Sequence, residues 1–370
     1  PIANSTYPIA VPKMETARTG LRPCRSDNCP RIGAAINMQS GKIACNQPSM
    51  IRPSVNDQPS GVTRKGDPGL IKSGKTGINI PNPNKSMKTV RKIASMGFLR
   101  TVAEYYSPST VALMKDIFSL NGRVALVTGG SRGIGAMIVQ GFLEHGCSRV
   151  YITARKAAQC DAAAKNLSMY GECISLPGDI STQAGIETLA AQIAEREETL
   201  DILVNNAGAA WGAKFDEFPE SGWDKTVDLN LKTPFFLTQA LAPQLRAAAA
   251  KNGHLAKVIN IASIDGISTN MEETYPYAGS KAGLIHMTKR MALRLIKDGI
   301  GVTAIAPGAF ASDMNKVARD HGDAIAAAIP SGRIGTPEDM AGAAIYLASR
   351  AGDYVVGSTV VVDGGVTYAR

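Results

Sequence analysis

The chain has 370 residues, 44% of them hydrophobic, which supplies a core for one large domain or two ordinary ones. Its net charge of +9 is concentrated at one end. Residues 1–113 hold 16 Lys/Arg against 5 Asp/Glu, leaving 24 against 26 for residues 114–370, so the larger part lacks the charge that nucleic-acid binding requires. No apolar run approaches the length of a membrane span. The six cysteines (Cys24, Cys29, Cys45, Cys147, Cys160, Cys173) form neither a zinc spacing nor a disulfide framework. No metal site is expected, and a reducing, cytoplasmic compartment fits.

Residues 1–86 are rich in Pro, Ser, Asn, Gly and Lys/Arg, and their apolar residues follow neither period 2 nor period 3.6. Such a stretch buries too little apolar surface to offset its ordering entropy, so it reads as disordered. From Met87 the texture becomes basic and mildly amphipathic. Three readings of residues 1–113 stand. The first is an upstream extension outside the working protein, which would begin at Met114. The second is a mitochondrial transit segment starting at Met87 or Met96. The third is a basic tail for nucleic acid or membrane, which ranks last. The expected organisation is a basic extension over 1–113 and a folded domain over 114–370, with no nucleic-acid or membrane partner.

Arg123–Val127 is a short β-branched strand. Thr128-Gly129-Gly130-Ser131-Arg132-Gly133-Ile134-Gly135 follows, and then a helix over Ala136–His145. Glycines let the backbone turn sharply and approach a pyrophosphate, and the helix N-terminus offers free N–H groups to it. The spacing T-G-x-x-x-G-I-G, between a strand and a helix, resembles the short-chain dehydrogenase/reductase family. The second strand, Arg149–Thr153, leads into Ala154-Arg155-Lys156 with no acidic residue. A carboxylate there would repel a 2′-phosphate, whereas Arg155 pairs with one, with Arg132 as a second cation and Ser131 as a hydroxyl donor. NADP(H) is therefore the expected cofactor.

The β/α alternation continues through strands at Glu172–Leu176, Leu200–Val204, Lys257–Ile261, Gly301–Ile305 and Ser358–Val362. Ser181 is expected to cap the third helix, with Thr336 and Pro337 opening the last one. Seven strands with short connections imply an α/β fold: a single doubly wound Rossmann domain with a seven-stranded parallel sheet.

After the fifth strand comes Ser263, and fourteen residues later Tyr277-Ala278-Gly279-Ser280-Lys281. Tyr277 and Lys281 are four apart, hence on one helix face. When hydride attacks a carbonyl, charge develops on its oxygen and a proton must arrive. Tyr277 is the expected acid/base, with its pKa lowered by the Lys281 ammonium and an oxidised nicotinamide. Ser263 is the expected hydrogen-bond donor to the substrate oxygen. Tyr275 lacks a lysine partner and is assigned to the pocket wall.

The resemblance covers Gly122–Gly365. It implies that Asp179 and Ile180 meet the adenine, and that Asn206, Ala207 and Gly208 of N-N-A-G lie beside the cofactor. It further implies that Lys281 holds the nicotinamide ribose, that Pro307 and Gly308 face the nicotinamide, and that Asn230 holds a water in a proton relay to Lys281. Residues Ala309–Gly335 correspond to the family's substrate lid. Stretches such as TGGSRGIG, LDILVNNAG, YAGSKA and VTAIAPG resemble, more closely, the NADPH-dependent 3-oxoacyl-[acyl-carrier-protein] reductases of the rhamnolipid-biosynthesis type. That implies reduction of a 3-oxoacyl thioester by a homotetramer or homodimer. The same chemistry on another ketone or a sugar acid is the alternative. A non-catalytic NADP-sensing module is a further one, against which the intact Asn230, Ser263, Tyr277 and Lys281 set speaks.

Overall fold

The computed structural model describes residues 116–312 and 315–369, together with two short strands, Leu70–Lys72 and Asn79–Pro81. The chain divides into two units, residues 1–85 and 86–370. In the first, Leu70–Lys72 pairs antiparallel with Asn79–Pro81. The other expectations for residues 1–113 lie outside the described residues.

In the second unit, seven strands form one parallel sheet. They are β1 (Val124–Thr128), β2 (Arg149–Thr153), β3 (Cys173–Ser175), β4 (Ile202–Asn205), β5 (Ala256–Ile261), β6 (Ile300–Pro307) and β7 (Thr359–Val362), in spatial order β3-β2-β1-β4-β5-β6-β7. All seven expected strands are present, with ends shifted by a few residues. The helices are α1 (Gly133–Glu144), α2 (Ala157–Leu167), α3 (Gln183–Arg196), α4 (Glu220–Val227), α5 (Thr233–Asn252), α6 (Tyr275–Leu295), α7 (Lys316–Asp320), α8 (Gly322–Ala326) and α9 (Pro337–Ala348).

The strand pleat explains the layers. On β1, Ala125 and Val127 face one side, where α1, α2 and α9 contribute Ile138, Phe142, Leu167 and Met340. Val124 and Leu126 face the other, against Ile186 and Leu189 of α3, Leu237 and Leu241 of α5, and Met291 of α6. Because both faces are covered, the strands read as continuous apolar runs rather than as alternating ones.

Three local features depart from expectation. Helix α1 starts at Gly133, inside the glycine turn, so its first N–H groups sit directly at the strand end. The cap of α3 is Thr182 and not Ser181: Gly185 N–H donates to Thr182 Oγ1 (3.1 Å), while Ser181 turns back to Asp179. Between α4 and α5 the chain makes a π-helical turn over Asp228–Lys232, a widened turn common at functional sites. Thr336 does open α9, where its N–H donates to Asp339 Oδ2 (2.8 Å).

Helices α1 and α9 approach most closely at Gly141, where a Cβ would lie 2.6 Å from the Ala341 Cβ. A Gly141→Val substitution forces these helices apart and is expected to lose about 1–3 kcal/mol of stability, measured by urea denaturation. An unchanged midpoint would show that the helix pair is not tightly set.

Candidate active site

The carboxyl ends of the strands meet a cleft of about 1010 Å³. The connection from β1 crosses to one face of the sheet and that from β4 to the other, which opens a crevice between them. The crevice is fastened by one hydroxyl. Thr128 Oγ1, at the end of β1, accepts hydrogen bonds from both Asn206 N–H and Ala207 N–H (each 2.9 Å). Asn206 Nδ2 returns to the Thr128 and Gly129 carbonyls (2.8 and 3.2 Å). Gly129 and Gly135 leave room for this packing. A Cβ on Gly135 would lie 2.3 Å from the Gly129 carbonyl oxygen and 2.6 Å from Asn206 Nδ2.

One end of the cleft is built for an anion. Gly129, Ser131, Arg132, Gly133, Ile134 and Gly135 line it beside the start of α1. That helix has no side-chain cap and no acidic residue in its first turn, so its N–H groups and positive dipole end face the cleft. Arg155, exposed after β2, lines the same end. Thr153 Oγ1, buried at the end of β2, has no hydrogen-bond partner within the protein. Asp179 and Ile180 also line the cleft. Burial pushes the Asp179 carboxyl up, but two hydrogen bonds from Ser181 (Oγ at 2.7 Å, N–H at 3.0 Å) and the Arg155 charge hold it below the usual range. The set of an uncapped helix start, two arginines and an unused hydroxyl, with no carboxylate at the end of β2, fits a phosphorylated dinucleotide.

The other end holds the reactive groups. Ser263, Tyr277, Lys281, Pro307 and Gly308 line it, as do Asn206, Ala207 and Gly208. Ser263 follows β5 by two residues and starts a 3-10 turn over Ile264–Gly266, its Oγ accepting from Asp265 N–H (3.2 Å). Tyr277 stands in the first turn of α6. Lys281, one turn on and fully buried, donates from Nζ to the Ile261 carbonyl (2.7 Å), with Nζ 5.7 Å from the Tyr277 ring centre.

Burial decides both pKa values. Without a carboxylate partner, Lys281 is lowered to about 8. The Tyr277 phenol is raised above its ordinary value, first by burial, with Asp265 and Glu272 adding to the rise and a hydrogen bond with Ser263 opposing it. The expected lowering of Tyr277 is therefore not produced by the protein alone. An ammonium that is itself discouraged by burial, and lies over the ring, does not outweigh the desolvation of the phenolate. The consequence is a neutral phenol at pH 7, ready to donate a proton.

Asn230 does not line the cleft and sits buried behind it in the π-helical turn. Its Oδ1 accepts from Ala209 N–H (2.8 Å), and its Nδ2 donates to the Ala209 carbonyl (2.8 Å) and to Ser280 Oγ (3.1 Å). Ser280 Oγ in turn donates to the Tyr277 carbonyl (2.8 Å). The side chain thus ties N-N-A-G to the start of α6. A second buried chain runs from Asn205 to Thr238 and Asn260, and from Asn260 to Thr288. Of these four supporting residues only Asn205 belongs to a motif legible in the sequence, N-N-A-G. Single polar residues in apolar strands, such as Asn260 in KVINI, were the available signal.

Tyr275 is outside the cleft. It stacks edge-on against Phe215 and Phe218 (5.6 and 5.9 Å), and its hydroxyl donates to Glu273. Residues missed by the sequence reading and present in the wall are Asp265, Asn270 and Glu272. In the region expected as a lid, Phe310 bridges Gly335, followed by α7 and α8. Asp313 and Met314 lie outside the described residues. Among the described residues no group of three or more metal-ligating side chains occurs, and no helix is long and apolar enough to cross a membrane.

The family described as enoyl-(acyl carrier protein) reductase, of the short-chain alcohol dehydrogenase type, matches residues 129–367. The chain belongs to the short-chain dehydrogenase/reductase family. It is 48% identical over 255 residues to a rhamnolipids biosynthesis 3-oxoacyl-[acyl-carrier-protein] reductase of Pseudomonas aeruginosa, covering 68% of this chain and 99% of that one. A 2-dehydro-3-deoxy-D-gluconate 5-dehydrogenase of Dickeya dadantii is 36% identical over 256 residues, covering 68% and 98%. Among solved structures, the Pseudomonas aeruginosa RhlG/NADP active-site complex superposes with a TM-score of 0.66 at 47% identity, covering 68% of this chain and 99% of the other. The chain is accordingly a short-chain oxidoreductase that takes a nicotinamide dinucleotide and a small-molecule substrate.

Two measurements follow. Thr128→Val leaves the Ala207 N–H without its acceptor and the Asn206 N–H with only the Val204 carbonyl, and is expected to cost about 1–3 kcal/mol with weaker dinucleotide binding, read by denaturation and by titration of the cofactor. Lys281 binds its proton less tightly folded (about 8) than unfolded (10.5). Its destabilising contribution is full below pH 8 and fades toward pH 10.5. The stability of the cofactor-free protein relative to Lys281→Met is therefore expected to rise over that interval, by up to about 3 kcal/mol. A flat difference would show that the ammonium is solvated.

Proposed function

We propose that residues 114–370 form the catalytic domain of an NADPH-dependent carbonyl reductase that converts a 3-oxoacyl thioester into its 3-hydroxyacyl thioester. The reading rests on one observation above all: a single cleft joins an anion-binding helix start, flanked by Arg132 and Arg155, to Ser263, Tyr277 and Lys281. The similarity to the Pseudomonas reductase supports the substrate class.

NADPH supplies the hydride that adds to the carbonyl carbon. The chain's own residues do the rest. Gly129 to Gly135 and the start of α1 hold the pyrophosphate. Arg132, Ser131 and Arg155 hold the 2′-phosphate. Asp179 and Ile180 border the adenine, and Asn206, Ala207, Gly208, Pro307 and Gly308 border the nicotinamide half. Ser263 donates a hydrogen bond to the carbonyl oxygen and fixes it beside Tyr277. Tyr277, held neutral by burial, gives its proton to that oxygen as charge develops there. Lys281 holds the nicotinamide ribose and favours the phenolate left behind. Asn230 fixes the floor of the site from its π-helical turn, by tying Ala209 to Ser280.

A homodimer or homotetramer fits the sheet edge at β7, whose residues are only partly buried. A cytoplasmic location fits the buried free thiols of Cys147, Cys160 and Cys173.

The test is NADPH and NADH oxidation by the 114–370 fragment with acetoacetyl thioester. Turnover is expected with NADPH and little with NADH, and Arg155→Glu should shift the preference toward NADH by at least about tenfold. Tyr277→Phe should lower kcat by roughly 10²–10⁴ while NADPH still binds. In the wild type, the reduction rate should hold through neutral pH and begin to fall near pH 8, where Lys281 loses its proton, with loss of the Tyr277 proton following at higher pH. Equal use of both cofactors would sink the 2′-phosphate assignment, and an active Tyr277→Phe variant would sink the proton donor.

A further inference from the structure

The cleft is electrically polarised along its length. Arg132, Arg155 and Lys156 stand at the phosphate end. Around Tyr277 the wall carries the opposite sign, from Asp265 and Glu272. Among the described lining residues the only cation at this end is Lys281, which is buried and already committed to the Ile261 carbonyl.

Asp265 is held firmly in this wall. Its N–H donates to Ser263 Oγ (3.2 Å), and Asn270 Nδ2 donates to its Oδ1 (2.9 Å). The turn that carries it is pressed against α6. A Cβ on Gly266 would lie 2.6 Å from the Lys281 carbonyl carbon, so the turn lies flush on that helix. Glu272 is fixed from the other side by its N–H, which donates to Asn270 Oδ1 (2.8 Å). Asn270 therefore bridges the two acids. Both are near enough to Tyr277 for their charges to act on its phenol.

We infer that Asp265 and Glu272 are specificity-determining residues, which make the enzyme select carbonyl substrates that are uncharged near the reacting carbon and reject those bearing a carboxylate there. The inference rests on the carbonyl-reductase reading and deepens it. A thioester or ester next to the carbonyl carries no charge. A free carboxylate in the same place meets two like charges and, among the described lining residues, no cation other than the committed Lys281. The relatives act on both kinds of compound by name, an acyl thioester in one and a sugar acid in another. The charge of this wall favours the first. Like charges at a few ångströms in a partly solvated cleft change affinity by roughly 5- to 20-fold each, and salt weakens them.

The experiment compares two compounds with the same reacting ketone, methyl acetoacetate and acetoacetate, which is anionic at neutral pH. Wild type, Asp265→Asn, Glu272→Gln and the double variant are assayed with NADPH at low salt. Asp265→Asn keeps the shape and a polar partner for Asn270, and Glu272 is exposed, so Glu272→Gln folds even if the first does not. Wild type is expected to favour the ester by at least about tenfold in kcat/KM. Removing either charge is expected to narrow that ratio by about fivefold or more, and removing both by more than either alone, through a lower KM for the anion. About 0.5 M salt should narrow the ratio in wild type and not in the double variant. The same ratio in all four proteins, insensitive to salt, would overturn the inference.

If neither compound is reduced, the reductase reading fails. The inference is then decided by competitive binding of the same two compounds to the NADP⁺-loaded protein. There, tighter binding of acetoacetate in the double variant than in wild type supports it, and equal binding overturns it.

Discussion

The active site depends on the divergence of chain connections at the middle of the sheet, between β1 and β4. A parallel sheet covered on both faces offers backbone and side chains to a ligand only along its carboxyl edge, and only where neighbouring connections part. Here that opening is held to a fixed width by the Thr128 hydroxyl, which accepts two N–H groups from the far side. The glycine turn, the start of α1 and the N-N-A-G loop take their positions from this fastening. Ser263 and Tyr277 are placed by the next strand and helix along.

Burial, more than charge pairing, sets the chemistry of the reacting groups. Lys281 has no carboxylate partner and is lowered by desolvation, and Tyr277 is raised by the same cause. The site therefore rests with a proton on the phenol and a weakly held one on the lysine. That arrangement supplies the proton a developing oxyanion needs. The buried amide of Asn230 and the hydroxyl of Ser280 contribute rigidity, since every polar atom they present has a partner inside the protein.

Much of this was legible in the sequence. The seven strands were, because a doubly covered sheet writes itself as β-branched apolar runs such as RVYIT and KVINI between short turns. The expected cofactor residues all line the cleft, because a glycine turn between strand and helix leaves the backbone few alternatives. The π-helical turn at Asp228–Lys232 was not legible: it is one extra residue within a helical stretch of ordinary composition. Nor was the exchange of Ser181 for Thr182 as cap, since adjacent hydroxyls compete and the loser here serves Asp179. The rise that burial alone gives the Tyr277 phenol was not legible, because sequence spacing places a lysine near a tyrosine but says nothing of how much water both have lost. Asp265, Asn270 and Glu272 belong to a connecting segment whose path only the folded chain defines.

The central claim is hydride delivery to a carbonyl carbon with a proton from Tyr277. It is tested most directly by tracing deuterium from C4-deuterated NADPH into the product, with acetoacetyl thioester and crotonyl thioester offered separately. The account predicts deuterium on the carbinol carbon of 3-hydroxybutyryl thioester, no transfer to the crotonyl compound, and loss of the transfer in Tyr277→Phe. Deuterium in a saturated butyryl product, with none in the 3-hydroxy product, would contradict it and make the protein a reductase of carbon–carbon double bonds.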